Sequence, residues 1–343
     1  MQWLSRGTMR ALGIGFVLLA VACGAEPVGG GSPRTKASLP SVGSCWQIAS
    51  EPDLGPSFTT ATQQPVDFAV WPAADGTWQL WSCIRGTKEE GYTRLFHRWE
   101  GAKITDDKWS PKGIAMRAGR VTPDGSPSDG KFDASYGEMK GGLQAPYVRS
   151  DGKTWRMMYG TWGNIAEQIS TDGKTFKRVT RTGNDVRIFD VTDSKRDAMF
   201  LPFNGVDYLY FTANPNGQGG VYLSTSTDGK AFSEPKLVAF GGQAGTGASD
   251  AECPYVVHRD DGYFYLFRTS QAHAACNYCK GVMTYVYAST DPSDFGVNDD
   301  SKLIAALPIA APEIHTVAGV DYIARLLPSV QGIQICNLTW QPN

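Results

Sequence analysis

Residues 252–268 read ECPYVVHRDDGYFYLFR, and this stretch contains the pattern that decides the fold. Aromatic and β-branched residues fill both of its halves, with the pair Asp261-Gly262 between them. Such residues favour strands, and an Asp-Gly pair is typical of a tight hairpin turn because both positions accept a positive φ. The stretch therefore predicts two antiparallel strands joined at Gly262.

The same arrangement occurs five times. The other four segments are DFAVWPAADGTWQLWSC (67–83), APYVRSDGKTWRMMYG (145–160), DAMFLPFNGVDYLYFT (197–212) and EIHTVAGVDYIAR (313–325). The turn glycines, at positions 76, 152, 205, 262 and 319, are separated by 76, 53, 57 and 57 residues, which is room for four strands per repeat. The first interval is enlarged by a polar insertion at 117–142. Five four-stranded repeats predict an all-β fold, a five-bladed β-propeller.

A second motif keeps the same period. It reads STDGKTF at 170–176, STDGKAF at 226–232 and STDPSDF at 289–295. We expect the Ser and Asp side chains to hydrogen-bond a tight turn, with the Phe packed beneath it. This places the motif between the third and fourth strands of a blade. A two-sheet sandwich is the alternative all-β fold, but it would not explain the period.

The N-terminus has the pattern of an export signal. Arg6 and Arg10 precede an apolar run, and residues 1–22 are expected to be removed as a signal peptide. The run ends LAVACG, which resembles a bacterial lipobox and implies lipid attachment at Cys23; an ordinary secretory signal is the alternative. Residues 23–40, rich in Gly, Pro and Ser, are expected to form a flexible tether. Residues 41–343 then form the propeller of an exported, lipid-anchored protein at the cell surface or in the periplasm.

The remaining cysteines predict disulfides. They number six, an even count in an exported chain, which favours pairing over free thiols; they are Cys45, Cys83, Cys253, Cys276, Cys279 and Cys336. The spacing His273-x2-Cys276-x2-Cys279 supplies three soft ligands, but zinc sites normally need a fourth. We therefore predict no metal and no other cofactor.

Charge narrows the choice of partner. Lys and Arg number 32 against 34 Asp and Glu, a net charge of −2. No basic surplus exists to neutralise nucleic-acid phosphates or anionic lipid. We expect a monomer that binds a neutral or weakly charged partner and contacts the membrane only through its lipid.

Three acidic residues occupy similar positions in their repeats. Asp67, Asp197 and Glu252 lie eight to ten residues before the turn glycines of their hairpins. Innermost strands of a propeller start at one face, so these carboxylates should meet at one mouth. Mutual repulsion should raise the pKa of at least one of them. Paired carboxylates are the acid/base groups that cleave glycosidic bonds.

At these residues the chain resembles the five-bladed propeller glycoside hydrolases of families 43 and 32. Family 43 carries Asp on blade I, Asp on blade III, and Glu before a small residue and Pro on blade IV; Asp67, Asp197 and the sequence ECP at 252–254 are similar. Family 32 signatures begin Arg-Asp and Glu-Cys, which the chain matches more literally at 196–197 and 252–253. Blade I departs, because Asp67 is followed by Phe68 instead of Pro. The resemblance covers about residues 41–343.

The resemblance implies a glycosidase that cleaves furanosides or xylosides in arabinan, arabinoxylan, xylan or fructan. By analogy with family 43, Glu252 is the general acid, Asp67 the base that activates water, and Asp197 the group that orients the acid and tunes its pKa. By analogy with family 32, Asp67 is instead the nucleophile, Asp197 stabilises the transition state and Glu252 is the acid/base.

Four further residues are candidates for substrate binding. Arg196 adjoins Asp197, and Trp162 and His273 lie in loops expected on the mouth face. His315 is expected near the start of the last inner strand.

Two other functions stay open: a noncatalytic propeller that binds glycan or protein, and a sialidase-like enzyme, although sialidases usually have six blades and an arginine triad that the sequence does not make evident.

We expect the mature protein to partition with membranes and to lose that behaviour on Cys23→Ala, because the acylated cysteine would be its anchor. Membrane fractionation of both forms, with detergent release of the native protein as the control, measures the effect. Soluble, unlipidated native protein would contradict the lipobox assignment.

Overall fold

The computed structural model describes residues 36–190, 194–271 and 281–342, and within these ranges the chain is almost entirely strand. The strands are β1 (Leu39–Ser50), β2 (Gln64–Pro72), β3 (Trp78–Arg85), β4 (Leu95–Gly101), β5 (Ser110–Met116), β6 (Gln144–Ser150), β7 (Trp155–Gly160), β8 (Ile165–Ser170), β9 (Lys177–Arg178), β10 (Arg196–Phe203), β11 (Val206–Ala213), β12 (Gly220–Ser226), β13 (Lys236–Phe240), β14 (Glu252–His258), β15 (Phe264–Ser270), β16 (Met283–Ser289), β17 (Gly296–Val297), β18 (Leu303–Leu307), β19 (Glu313–Val317), β20 (Val320–Leu326) and β21 (Gly332–Gln341). Four short 3₁₀ helices are Ala134–Tyr136, Pro215–Gly217, Gly242–Ala244 and Pro328–Val330. None of the helices in these ranges has the length and apolar character needed to cross a membrane.

The strands form five sheets, antiparallel except for the pairing of β13 with β17, and these sheets are the blades of a five-bladed β-propeller, as the repeat predicts. Blade I is β2-β3-β4-β5, blade II is β6-β7-β8-β9, and blade III is β10-β11-β12-β13. Blade IV is β14-β15-β16-β18, and blade V is β19-β20-β21 with β1 on its outer edge. The insertion at 117–142 lies between β5 and β6, as expected.

All five predicted hairpins join the two innermost strands of their blades, with two kinds of turn. Asn204-Gly205 and Ala318-Gly319 have positive φ at both residues (49° and 77°, 50° and 79°). In the other three turns only the glycine does. There Asp75, Asp151 and Asp261 each accept the backbone N–H two residues on, at 3.0, 2.9 and 3.1 Å. Aspartate thus serves these turns through its side chain and not through a positive φ.

The Ser-Thr-Asp motif builds the turn after the third strand. The hydroxyls of Ser170 and Ser226 each accept the backbone N–H of the glycine three residues on, at 2.9 Å. Phe176 and Phe295 are buried beneath their turns, and Phe232 is half-buried. In blade IV the motif leads into β17, which pairs in parallel with β13 of blade III. The motif therefore also links two neighbouring blades.

Aromatic side chains fill the space between blades I and II. The ring of Phe176 from blade II lies 5.8 Å from that of Trp71 and 5.4 Å from that of Trp81, centroid to centroid. The indole N–H of Trp155 donates to Pro72 O across the same boundary, at 2.8 Å. Trp71, Trp78, Trp81 and Trp155 are all buried, so they pack the sheets, as their strand positions predict.

A buried ion pair fixes the insertion at 117–142 to blade II. The Arg178 guanidinium contacts both carboxylate oxygens of Glu138, at 2.8 and 3.1 Å, and the Tyr159 hydroxyl donates to the same carboxylate at 2.5 Å. Both charged side chains are fully buried. Removal of one partner would leave an uncompensated buried charge, so this contact holds the insertion in one position.

Strand β1 closes the ring by pairing with β21, and a disulfide joins the two strands. Cys45 lies opposite Cys336 in the strand register, and their sulfur atoms are bonded. The expectation that all six cysteines pair is wrong for Cys83 and Cys253, which are free thiols. Their sulfur atoms instead lie near oxygen acceptors, 3.2 Å from Leu143 O and 3.4 Å from a carboxylate of blade I. Cys276 and Cys279 lie outside the described residues.

We expect the double substitution Cys45→Ser, Cys336→Ser to lower the free energy of unfolding by about 2 to 5 kcal/mol, because the bond closes a loop of 291 residues in sequence separation. Urea unfolding with and without reductant measures this. Reductant should bring the wild-type protein close to the double variant and change the variant little. A urea unfolding midpoint of the wild-type protein that does not change on addition of reductant would contradict a stabilising role of the disulfide.

Candidate active site

The innermost strands of blades I to IV each begin with a β-bulge at the mouth, the face where these strands start. The register shifts lie at 66–68, 144–147, 196–199 and 252–255. A bulge re-aims the side chain of its extra residue. The residues at these positions have a positive φ that is unusual outside glycine, and Ala311 holds the matching position before β19; they are Asp67 (38°), Ala145 (31°), Asp197 (55°), Cys253 (47°) and Ala311 (49°). All five line one cavity between the blades.

The bulges show which residues correspond between blades. Cys253, and not Glu252, holds the blade IV position that Asp67 and Asp197 hold in blades I and III. Glu252 is one residue earlier, beside the ring of bulged residues. The sequence itself indicates that Cys253 corresponds to Asp67, because Cys253 precedes Gly262 by the same nine residues that separate Asp67 from Gly76.

Cys253 contacts the carboxylates of both Asp67 and Asp197. Its backbone N–H donates to Asp197 Oδ2 at 3.2 Å, and its Sγ lies 3.4 Å from Asp67 Oδ1 and 4.0 Å from Asp197 Oδ2. A thiol is a weak hydrogen-bond donor, and a carboxylate is a strong acceptor. Carboxylates from blades I and III therefore meet around one residue of blade IV.

Arg196 joins the third carboxylate to the cluster. Its Nη2 donates to Glu252 Oε1 at 2.5 Å, its Nε lies 3.5 Å from Oε2, and the same Nε lies 3.8 Å from Asp197 Oδ2. Nη2 and Nη1 also donate to backbone carbonyls, those of Ala248 (3.0 Å) and Ser194 (3.1 Å). The main charge partner of Arg196 is therefore Glu252, and its neighbour Asp197 is second.

Burial and mutual repulsion favour protonation within this cluster. Burial raises the pKa of Asp197 well above its ordinary value, and the charges of Glu252 and Asp67 raise it further. The pKa of Asp67 is also raised, chiefly by burial, although the Arg94 guanidinium opposes the shift. Burial raises the pKa of the Cys253 thiol in the same way. The expectation that clustering raises at least one carboxyl pKa is confirmed.

The cluster opens into a cleft of about 540 Å³. Its walls include Asp67, Asp197, Glu252 and Arg196, so the structure brings together the three predicted carboxylates and the predicted arginine. Two further arginines line it that the sequence analysis missed, Arg85 and Arg94. Arg94 immediately precedes β4, at the end of the loop between the second and third strands of blade I. Trp162 was expected at the mouth because it lies in the loop between the second and third strands of its blade, and the same reasoning applies to this loop of blade I.

Trp162 lies at the edge of the site, with part of its ring already covered. It occupies the loop between β7 and β8 and lines a smaller pocket of about 250 Å³ beside Arg196. The Tyr92 ring stacks on the indole with centroids 4.0 Å apart, and the Arg94 guanidinium carbon lies 4.8 Å from the indole centroid. Tyr92 is 40% exposed, so it contributes an accessible aromatic surface to this edge.

His315 does not line the cleft. Its ring packs edge-on against Trp78, 5.8 Å between centroids, and its Nε2 lies 3.8 Å from Glu313 Oε2. Burial lowers the pKa of His315 to about 4, which favours the neutral ring. His273 and Cys23 lie outside the described residues. Within the described chain, no group of three or more His, Cys, Asp and Glu side chains has an arrangement suited to a metal ion.

Comparison with solved structures identifies similar folds. A thermostable family-43 glycoside hydrolase matches with a TM-score of 0.58 at 16% identity, over 82% of this chain and 91% of its own. An α-L-arabinofuranosidase from Podospora anserina matches at 0.57 and 12%, over 90% and 98%. A family 32 β-fructofuranosidase from Bombyx mori matches at 0.51 and 15%, over 90% and 61%. No family model matches the sequence, and a search of curated proteins finds no significant match. At sequence identities this low, the structural matches show a shared fold.

We expect Asp197→Asn to stabilise the protein at neutral pH. A carboxyl whose pKa is raised on folding contributes stability below its unfolded pKa and loses it as pH rises through the folded pKa. Asparagine resembles the protonated form, so the variant should gain about 1 to 3 kcal/mol over wild type between pH 4 and pH 8. Urea unfolding at both pH values measures the gain. An equal difference at both would contradict a raised pKa.

Proposed function

We propose that this protein is a glycoside hydrolase that cleaves furanosides or xylosides with a carboxylate acid/base mechanism. The observation that carries the proposal is the arrangement of Asp67, Asp197 and Glu252 around one cleft at the propeller mouth. The arabinofuranosidase, fructofuranosidase and family-43 hydrolase with similar folds support a glycosidic substrate. The sugar class is arabinan, arabinoxylan, xylan or fructan.

Glu252 is the proposed general acid. It lies on the cleft wall outside the ring of bulged residues, where it can donate a proton to the leaving glycosidic oxygen. Arg196 contacts both of its carboxylate oxygens, so proton donation requires this contact to loosen. Asp197 is the next acceptor for Arg196, 3.8 Å from its Nε. A proton that moves from Asp197 to Glu252 therefore lets the guanidinium change partners without losing charge compensation.

Asp67, on blade I, is the proposed base or nucleophile. The Arg94 guanidinium favours its ionised form against the effect of burial. An ionised Asp67 either activates water, which inverts the anomeric configuration, or attacks the sugar directly, which retains it. The anomer released first, observed by NMR, distinguishes the two. Asp197 orients the cluster through its contacts with Cys253 and Arg196.

Export and lipid anchoring at Cys23 complete the proposal. Polysaccharides are too large to enter a cell intact, so an enzyme that cleaves them acts outside the cytoplasm. The Cys45–Cys336 disulfide is consistent with an oxidising compartment.

We expect Glu252→Gln to reduce kcat/KM on natural glycosides by about 10²- to 10⁴-fold and to affect nitrophenyl glycosides much less, because phenolates leave without protonation. Asp67→Asn should reduce both together, since its role does not depend on the leaving group. The measurement is the ratio of kcat/KM for the two substrate types in each folded variant.

Glu234→Gln serves as the matched control, because Glu234 is an exposed carboxylate away from the cleft. It should leave both rates unchanged. Equal losses on both substrates for Glu252→Gln would remove Glu252 from the acid role. Unchanged activity in both site variants would favour the noncatalytic binding propeller.

A further inference from the structure

The cleft contains more positive charge than its own carboxylates pair directly. Arg196 is held by Glu252, but Arg85 and Arg94 also line the cleft. Among the described residues, no carboxylate oxygen lies within 4.0 Å of either guanidinium. Two guanidinium groups therefore border the cleft without a direct anionic partner.

The contacts of these two arginines leave donors available. Both side-chain hydrogen bonds of Arg85 go to one neutral acceptor, Gln64 Oε1, at 3.0 and 2.7 Å, and its side chain is exposed. Arg94 is half-buried; its guanidinium lies over the Trp162 ring and close to the Cys83 thiol. A guanidinium has five N–H donors, so neither group is saturated.

Elsewhere in the described chain, the fully buried arginines have carboxylate or carbonyl oxygens as partners; Arg268, for example, donates to three backbone carbonyls. Arg178 pairs with Glu138, and Arg156 contacts both Glu167 and Asp207 at 2.6 Å. Burial of a charge without a partner is costly, which explains these pairs. Arg94, half-buried at the mouth, has no such oxygen partner for its guanidinium among the described residues, and this needs a reason. Its longer-range attraction to Asp67 is one, because it favours the ionised form of that carboxyl.

That attraction does not account for Arg85, nor for two guanidinium groups on one cleft. A neutral sugar presents only hydroxyl and ether oxygens, whereas a carboxylate accepts paired, charge-assisted hydrogen bonds from arginine. A substrate carboxylate in this cleft would supply the missing direct partner of both groups.

We propose that the cleft recognises an acidic oligosaccharide, one that carries a uronic acid residue near the cleaved bond, and that Arg85 and Arg94 bind its carboxylate. This inference rests on the proposed glycosidase function and names its substrate class. Arg94 and Arg85 are then specificity determinants, and the neutral furanosides and xylosides considered above are the unsubstituted forms of the same substrates.

The test compares uronic-acid-bearing xylan and arabinan oligosaccharides with the same oligosaccharides after reduction of the carboxyl group to an alcohol. The wild-type protein should show a kcat/KM about 10- to 100-fold higher on the acidic form. Arg85→Gln and Arg94→Gln should each remove most of this ratio. Raising the salt concentration from about 0.05 to 0.5 M should lower the ratio, because salt screens charge pairs in an open cleft.

Lys112→Gln is the matched control, because it removes one positive charge from the outer strand of the same blade. It should leave the ratio unchanged. If Arg94 acts only on Asp67, Arg94→Gln will reduce both rates equally and the ratio will persist, which would overturn its assignment. Equal wild-type rates on the acidic and reduced forms would overturn the proposal while leaving the glycosidase function intact.

A binding measurement separates this inference from the proposed function. Calorimetric titration of folded Glu252→Gln with an acidic xylan oligosaccharide and with its carboxyl-reduced form requires no hydrolysis. Tighter binding of the acidic form, weakened about 10-fold or more by Arg85→Gln, supports the carboxylate site even if no substrate is cleaved. Equal affinities would overturn it even if neutral glycosides are cleaved.

Discussion

The pairing of β1 with β21 is the contact on which the rest of the structure depends. Each blade packs only on its two neighbours, so an unclosed array would expose the apolar faces of its first and last blades. Because β1 from the start of the described chain completes the last blade, the first and last described strands lie in one sheet. Closure brings blade V against blade I, and the backbone N–H of Val70 then donates to the buried Glu313 carboxylate at 2.7 Å.

Closure also forces five strand ends into a small space, and the bulges are how the backbone meets that constraint. A positive φ at a residue other than glycine costs free energy, and such residues often mark functional sites. Here the same conformation recurs at matching positions in all five blades, from Asp67 to Ala311. The scaffold thus supplies the geometry, and only the identity of the side chain at each position differs. Two of the five positions have a carboxylate (Asp67 and Asp197), one has a thiol (Cys253), and two have the methyl group of an alanine.

Much of this architecture could be predicted from sequence because its determinants are local. Turn pairs such as Asn204-Gly205 define hairpins over a few residues, and equal spacing of the turns defines blades. Position relative to a turn also fixes which face a residue reaches, which is why Asp67, Asp197 and Glu252 were found together. Cysteine pairing was predicted only in part, since an even count carries no information about the distance from Cys83 or Cys253 to another thiol. Arg94 was missed because it follows a loop without a repeating motif.

The described chain enters the propeller at the face opposite the mouth. Strands alternate in direction across blade V, so β1 starts at the face opposite the mouth. The contacts of Ser38 agree, because its hydroxyl donates to Asp261 in the blade IV turn on that opposite face, at 2.9 Å. The described chain therefore enters β1 on the side of the propeller remote from the cleft. The full depth of the propeller thus separates the first described residues from the entrance to the cleft.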